Sequence, residues 1–223
     1  MPEAPENVEV RAVVLVEGVS DRAALAVLAG RRGMDLAGDG VEIVSMDGIT
    51  NIGHFLVRYR AAGPSARSAR TVRSVQLAGL YDDAEERFVR RGLRRAGLGD
   101  EAPGGLDLDA LPHPTLEALG FYACSPDLED ELIRALGPAA VERLVEASGK
   151  LRSFRTLQRQ PAQRARSLHD QLRRLMSGRS GGKARYAAAM AAAVPLERVP
   201  RPLDAVLSHV YPALDGLPAD SGR

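Results

Sequence analysis

Apolar positions in the first half of the chain fall into short runs separated by longer amphipathic stretches. Residues 11–16 (RAVVLV), 41–46 (VEIVSM), 73–80 (RSVQLAGL) and 117–123 (EALGFYA) are short and apolar and read as strands. Between them apolar residues recur at helical spacing in RAALAVLAGRRG, IGHFLVRYRAA and AEERFVRRGLRRAGL, and a further helix, DLEDELIRALG, follows the fourth run. Strands alternating with helices of roughly 10–15 residues predict βαβ units, a parallel sheet and right-handed crossovers. The Gly-, Pro- and Asp-rich segment 98–115 reads as a loop. From about residue 138 the pattern is helical only: PAAVERLVEAS, PAQRARSLHDQLRRLMS, GGKARYAAAMAAAV and RPLDAVLSHVYPAL. The expected organisation is an α/β domain over 8–137 with a parallel sheet of about four strands flanked by helices, and a helical extension over 138–216.

Acidic residues gather just after the first, third and fourth runs. In open α/β sheets the site lies outside the carboxyl ends of the strands, so these acids can converge from distant points in the chain. Glu17-Gly18-Val19-Ser20-Asp21 joins the first strand to its helix. The glycine permits a tight turn, and two carboxylates four residues apart at such a junction can both reach one hard cation. A plainer alternative makes Asp21 a helix cap. Asp82, Asp83, Glu85 and Glu86 crowd the end of the third run, and Asp127, Glu129, Asp130 and Glu131 follow the fourth. Such clusters repel unless they are solvated or bind a cation, although acids also suit a helix N-terminus. Ser180-Gly181-Gly182-Lys183 opens a helix, where backbone N–H groups accept anions and the lysine can reach a phosphate.

Composition narrows the reading. Over 223 residues the net charge is +1, with 45% hydrophobic and 26% charged residues, which is ordinary for a globular protein. Aromatics make up 4% and Trp is absent, so base stacking cannot be a main binding mode. Basic residues crowd Lys150–Arg185 against the single acid Asp170, which suits a phosphate polymer or, more plainly, a solvated helix face. The one cysteine, Cys124, is a core candidate and fits a reducing cytoplasm. His54, His113, His169 and His209 form no close pair, so a zinc site is not expected. There is no basic-then-apolar leader, no apolar run approaching a membrane span, no Walker A loop and no GxSxG nucleophile elbow.

The stretch VVLVEGVSDRAALAVLA resembles the opening motif of Toprim domains, the fold shared by bacterial primases and type IA and II topoisomerases. Its Glu-Gly-x-Ser-Asp form is similar to the OLD-family nucleases, which often carry an ABC-type ATPase ahead of the Toprim domain. Asp47-Gly48-Ile49-Thr50-Asn51, LAGLYDDAEERF, SPDLEDELIRALG and GGKARYAAAMA resemble the later family motifs, in the expected order over roughly residues 10–200. The resemblance implies a cytoplasmic endonuclease that cuts phosphodiester bonds in DNA with two Mg²⁺ or Mn²⁺ ions. Glu17, Asp21, Asp82, Asp83, Glu129 and Glu131 would be metal ligands, and Glu17 and Lys183 catalytic. Arg152, Arg155, Arg164, Arg173 and Lys183 would hold the nucleic acid.

Two departures stand out. The family's Asp-x-Asp is broken at Ala84, where Asp83, Glu85 or Glu129 could substitute. With no P-loop, ATP-driven behaviour is expected from a separate ATPase subunit or not at all. A non-catalytic Toprim-fold module that binds nucleic acid or an ATPase is the alternative, and phosphotransfer on a small phosphorylated molecule is a third reading.

Overall fold

The computed structural model describes residues 9–61, 75–98, 113–177 and 182–211. Strands β1 (Ala12–Val16), β2 (Val41–Ser45), β3 (Gln76–Asp82) and β4 (Phe121–Cys124) form one sheet. Their order is β2-β1-β3-β4, and every pair is parallel. From β1 the chain goes to β2 on one side and then to β3 on the other. The topological switch point therefore lies between β1 and β3, whose register sets Val16 opposite Leu80.

Because side chains alternate along a strand, the sheet sends two sets of apolar residues to two separate cores. Val14, Val16, Ala78 and Leu80 face one layer, and Val13, Leu15, Tyr81 and Phe121 face the other. The second layer is α2 (Ile52–Ala61) and α3 (Glu86–Arg95), which bury Ile52, Leu56, Val89 and Leu93. The first is built by α1 (Val19–Arg31), α5 (Leu128–Leu136), α6 (Pro138–Ala147), α7 (Leu151–Gln158), α9 (Leu168–Met176), α10 (Lys183–Ala193) and α11 (Arg201–Val210). The expected boundary at residue 137 falls at Gly137, between α5 and α6. Beyond it α10 and α11 return to the sheet layer and share its core. Among the described residues no helix is long and apolar enough to cross a membrane.

Helices α1 and α10 lie side by side and run in the same direction. Ala24, Leu28, Ala187 and Ala191 are fully buried in the core that both helices share, and small side chains permit close approach. At their carboxyl ends Arg31 Nη1 donates to Ala191 O at 2.7 Å and Val194 O at 2.6 Å, satisfying carbonyls that α10 itself leaves open. The opposite ends, carrying Asp21 and Lys183, consequently meet at the carboxyl edge of the sheet.

Several sequence-predicted boundaries shift. The run 117–123 is not all strand. Glu117 and Ala118 end helix α4 (His113–Ala118), Gly120 turns at φ +87°, and only Phe121–Cys124 pair with β3. The third strand runs on to Asp82. The expected single helix 161–177 breaks into α8 (Pro161–Arg164) and α9, because Ser167 caps α9 by accepting from Asp170 N. Helix α7, with Leu151, Phe154 and Leu157 as its apolar side, is a feature that the Arg-rich pattern hid. Most of the loop predicted over 98–115 lies outside the described residues.

Gly79 sits beside Phe121 in the sheet, and a Cβ there would lie 2.7 Å from the Phe121 ring and 3.2 Å from Leu15 O. The ring is fully buried and has no room to withdraw. Gly79→Ala is expected to destabilise the fold by about 1–3 kcal/mol, the usual cost of overpacking. Urea unfolding checks this, and an unchanged midpoint would show that the strand contact is slack.

Candidate active site

Glu17 leaves β1 one residue beyond its last sheet pair, Val16, and its backbone is braced by the turn after β2. Met46 N donates to Val16 O at 2.9 Å and Gly48 N to Glu17 O at 3.0 Å. That turn needs left-handed backbone at Asp47 (φ 54°) and positive φ at Gly48 (φ 116°), and Asn51 Nδ2 locks it by donating to Met46 O at 2.9 Å. Asp21 lies in the first turn of α1, where its Oδ2 accepts from Gly18 N at 2.8 Å. The capping role is real, and it occupies that one oxygen.

Asp82 ends β3 on the same sheet face as Leu80, toward α1 and α10. Glu129, in the first turn of α5, is 7% exposed. Its Oε1 is buried without a hydrogen-bond partner, with Lys183 Nζ 3.3 Å away as ionic neighbour. Four carboxylates from four elements thus share one electrostatic cluster.

Burial, with the neighbouring carboxylates, raises the proton affinity of Asp21, Asp82 and Glu129. Burial lifts Asp82 to about 8, with Asp21, Glu17, Asp127 and Glu129 adding to it. Burial likewise raises Asp21 to about 6 against the Gly18 hydrogen bond, with Glu129 and Glu17 adding to it. Burial raises Glu129 despite its Lys183 partner. Glu85 is lifted to about 7 by burial and by a carboxyl–carboxylate contact with Glu17. Burial works against the charge of Lys183, but pairing with Glu129 and the fields of Asp21 and Asp82 hold it protonated. A cation placed among these acids would relieve the repulsion, and the hard oxygen donors suit Mg²⁺ or Mn²⁺. As the side chains stand, no three His, Cys, Asp or Glu among the described residues are already arranged to hold a metal ion.

The remaining expected ligands sit elsewhere. Asp83 Oδ2 accepts from Ser125 Oγ at 3.2 Å, and Glu131 Oε1 accepts from Ser125 N at 3.1 Å while pairing with Arg134 at 3.0 Å. Both line the β4–α5 loop. Asp127 caps α5 by accepting from Asp130 N at 2.8 Å and pairs with Arg173. Buried Asp130 joins Arg134 at 2.7 Å and His169 at 2.6 Å, docking α9 onto α5.

Docking α9 leaves a cavity of about 270 Å³ lined by charges of both signs. Its lining combines Asp82, Asp127, Glu129 and Asp170 with Arg166, Arg173, Arg174 and Lys183. Of the expected nucleic-acid residues, Arg173 and Lys183 line this cavity. Arg152 is exposed on α7, Arg155 pairs with Glu142 at 2.7 Å, and Arg164 donates to Arg159 O at 2.9 Å. Arg166 and Arg174 also line the cavity; the sequence placed them only within its Arg-rich basic stretch and not among the individual contacts. The Ser167-Leu168-His169-Asp170 cap that starts α9 was the signal that would have placed them. Ser180 and Gly181 lie outside the described residues.

Residues 10–63 match the family model "Overcoming lysogenization defect protein-like, TOPRIM domain". The C-terminal region of the Xanthomonas campestris pv. campestris OLD protein resembles the chain with a TM-score of 0.64 at 24% identity, over 92% of this chain and 96% of that one. The C-terminal region of the Burkholderia pseudomallei OLD protein does so with a TM-score of 0.60 at 22% identity, over 92% and 98% respectively. No curated protein matches the chain in sequence. The family-model match covers Glu17 and Asp21, and the fold match covers nearly the whole chain, so the chain has the fold of the OLD C-terminal regions and over residues 10–63 is similar to the OLD-like Toprim domain.

Proposed function

We propose that the chain is a cytoplasmic, divalent-metal-dependent endonuclease that nicks or cuts DNA, with a catalytic part over 8–137 and a helical extension over 138–216 that supplies Lys183. The observation that carries this reading is the convergence of Glu17, Asp21, Asp82 and Glu129 opposite Lys183 at the sheet's switch point. An uncharged substrate would have no use for such a pairing of signs. A phosphodiester needs both, cations to neutralise its oxygens and acids to hold those cations.

Glu17, Asp21, Asp82 and Glu129 would hold the metal, with Glu131 in the first turn of α5 as a reserve carboxylate for a second ion. When bound, such ions supply an activated water and charge stabilisation at the leaving oxygen. Lys183, kept protonated by its acidic surroundings, adds a positive charge against the scissile phosphate. Arg166, Arg173 and Arg174 orient the backbone across the cavity mouth, while Arg152, Arg155 and Arg164 extend the basic track over α7 and α8 without reading bases.

Glu17→Ala is expected to abolish Mn²⁺-dependent nicking of supercoiled plasmid, and Lys183→Ala to slow it by roughly 10²–10³-fold, as for loss of one charge-stabilising group. Undiminished cutting by Glu17→Ala sinks the assignment. Plasmid binding without any cutting at millimolar Mn²⁺ would favour the non-catalytic module instead.

The raised proton affinities give a second test. Asp21, Glu85 and Asp82 hold protons more tightly folded, at about 6, 7 and 8, than at their ordinary values of 3.8, 4.5 and 3.8. The folded state then binds more protons than the unfolded one, so stability falls as pH rises from those ordinary values through the folded ones. The metal-free protein should unfold at a higher temperature near pH 6 than near pH 8.5, and the stabilisation by Mn²⁺ should be larger at the higher pH, where protons no longer compete. Scanning calorimetry at both pH values reads this, and an Mn²⁺ increment independent of pH would contradict it.

A further inference from the structure

The third strand does not continue past Asp82 in extended form. Asp83–Glu85 fold at once into a 3₁₀ turn directly after Asp82, before α3 begins at Glu86. In an extended chain the residue that shares a face with Asp82 is two positions on, and that residue is Ala84. A 3₁₀ turn has about three residues per turn, so the chain bends round directly after Asp82: Ala84 is exposed, and Glu85 comes round to meet Glu17.

The contacts agree with this change of period. The Glu85 carboxyl lies within hydrogen-bonding reach of the Glu17 carboxyl. Two ionised carboxylates cannot donate to each other, and Glu85 Oε2 is buried without a hydrogen-bond partner. Asp83 takes a different direction, accepting from Ser125 Oγ on the β4–α5 loop.

We propose that Glu85, and not its neighbour Asp83, is the second strand-end ligand for the divalent cation, with the 3₁₀ turn moving that role from the second to the third residue after Asp82. The proposal rests on the metal-site reading above. Ala84 is then no gap in the site, because the backbone carries the partner acid one residue further along.

The test is Mn²⁺ binding by the whole metal-free chain, followed by electron paramagnetic resonance of unbound Mn²⁺, for the unaltered protein, Glu85→Gln, Asp83→Asn and Glu17→Gln. Glu85→Gln should weaken binding by about tenfold or more, approaching the loss in Glu17→Gln, whereas Asp83→Asn should leave it nearly unchanged. Circular dichroism and metal-free melting should show Glu85→Gln folded and at least as stable as the parent, since a repulsive contact is removed. If Glu85→Gln keeps parental affinity, or Asp83→Asn loses as much, this assignment is overturned while the metal site stands. If the unaltered chain binds no Mn²⁺, the metal reading falls and this one with it.

Discussion

Repulsion among buried carboxylates is the constraint around which this molecule is arranged. Left to themselves, Glu17, Asp21, Asp82 and Glu129 would separate into water. They stay together because each is fixed to an element whose apolar side is buried elsewhere: the strands through Val14, Val16 and Leu80, α1 through Leu25 and Leu28, α5 through Leu132 and Ile133. Packing of the apolar layer that carries these elements overcomes the acids' preference to part.

The parallel packing of α1 on α10 supplies the opposing charge. Asp21 and Lys183 are remote in sequence, yet both stand at the amino ends of helices that share a core. Two positive helix ends beside an acidic cluster favour its ionised forms, and Lys183 strengthens that effect. The same layer lets α9 dock through Asp130 and Asp127, setting arginines among the acids around the cavity.

Much of this was legible in the sequence because it depends on short-range spacing. The alternation of apolar runs with helical stretches gave the parallel sheet, and the glycine turn after RAVVLV placed Glu17 and Asp21 together. Asp82 followed from lying at a strand end. What was not legible depends on backbone period or on distant docking. Counting in twos past Asp82 lands on Ala84, whereas the 3₁₀ turn brings Glu85 round to Glu17. Arg166 and Arg174 were legible only as part of a basic stretch, and the Ser167 cap that breaks the helix and turns α9 onto α5 is what sets them beside the acids. Asp83 and Glu131 looked equivalent to their acidic neighbours, but Ser125 draws both to the loop it occupies.

Strand β2 contributes none of the clustered carboxylates, yet the turn that follows it clasps the main chain of Glu17 through Gly48 and reaches back to Val16 through Met46. The outermost strand therefore acts as a gauge for the leading acid. Its seating against β1 fixes how far that carboxylate stands above the sheet, so sequence drift at this rim can retune the centre without altering any residue in it.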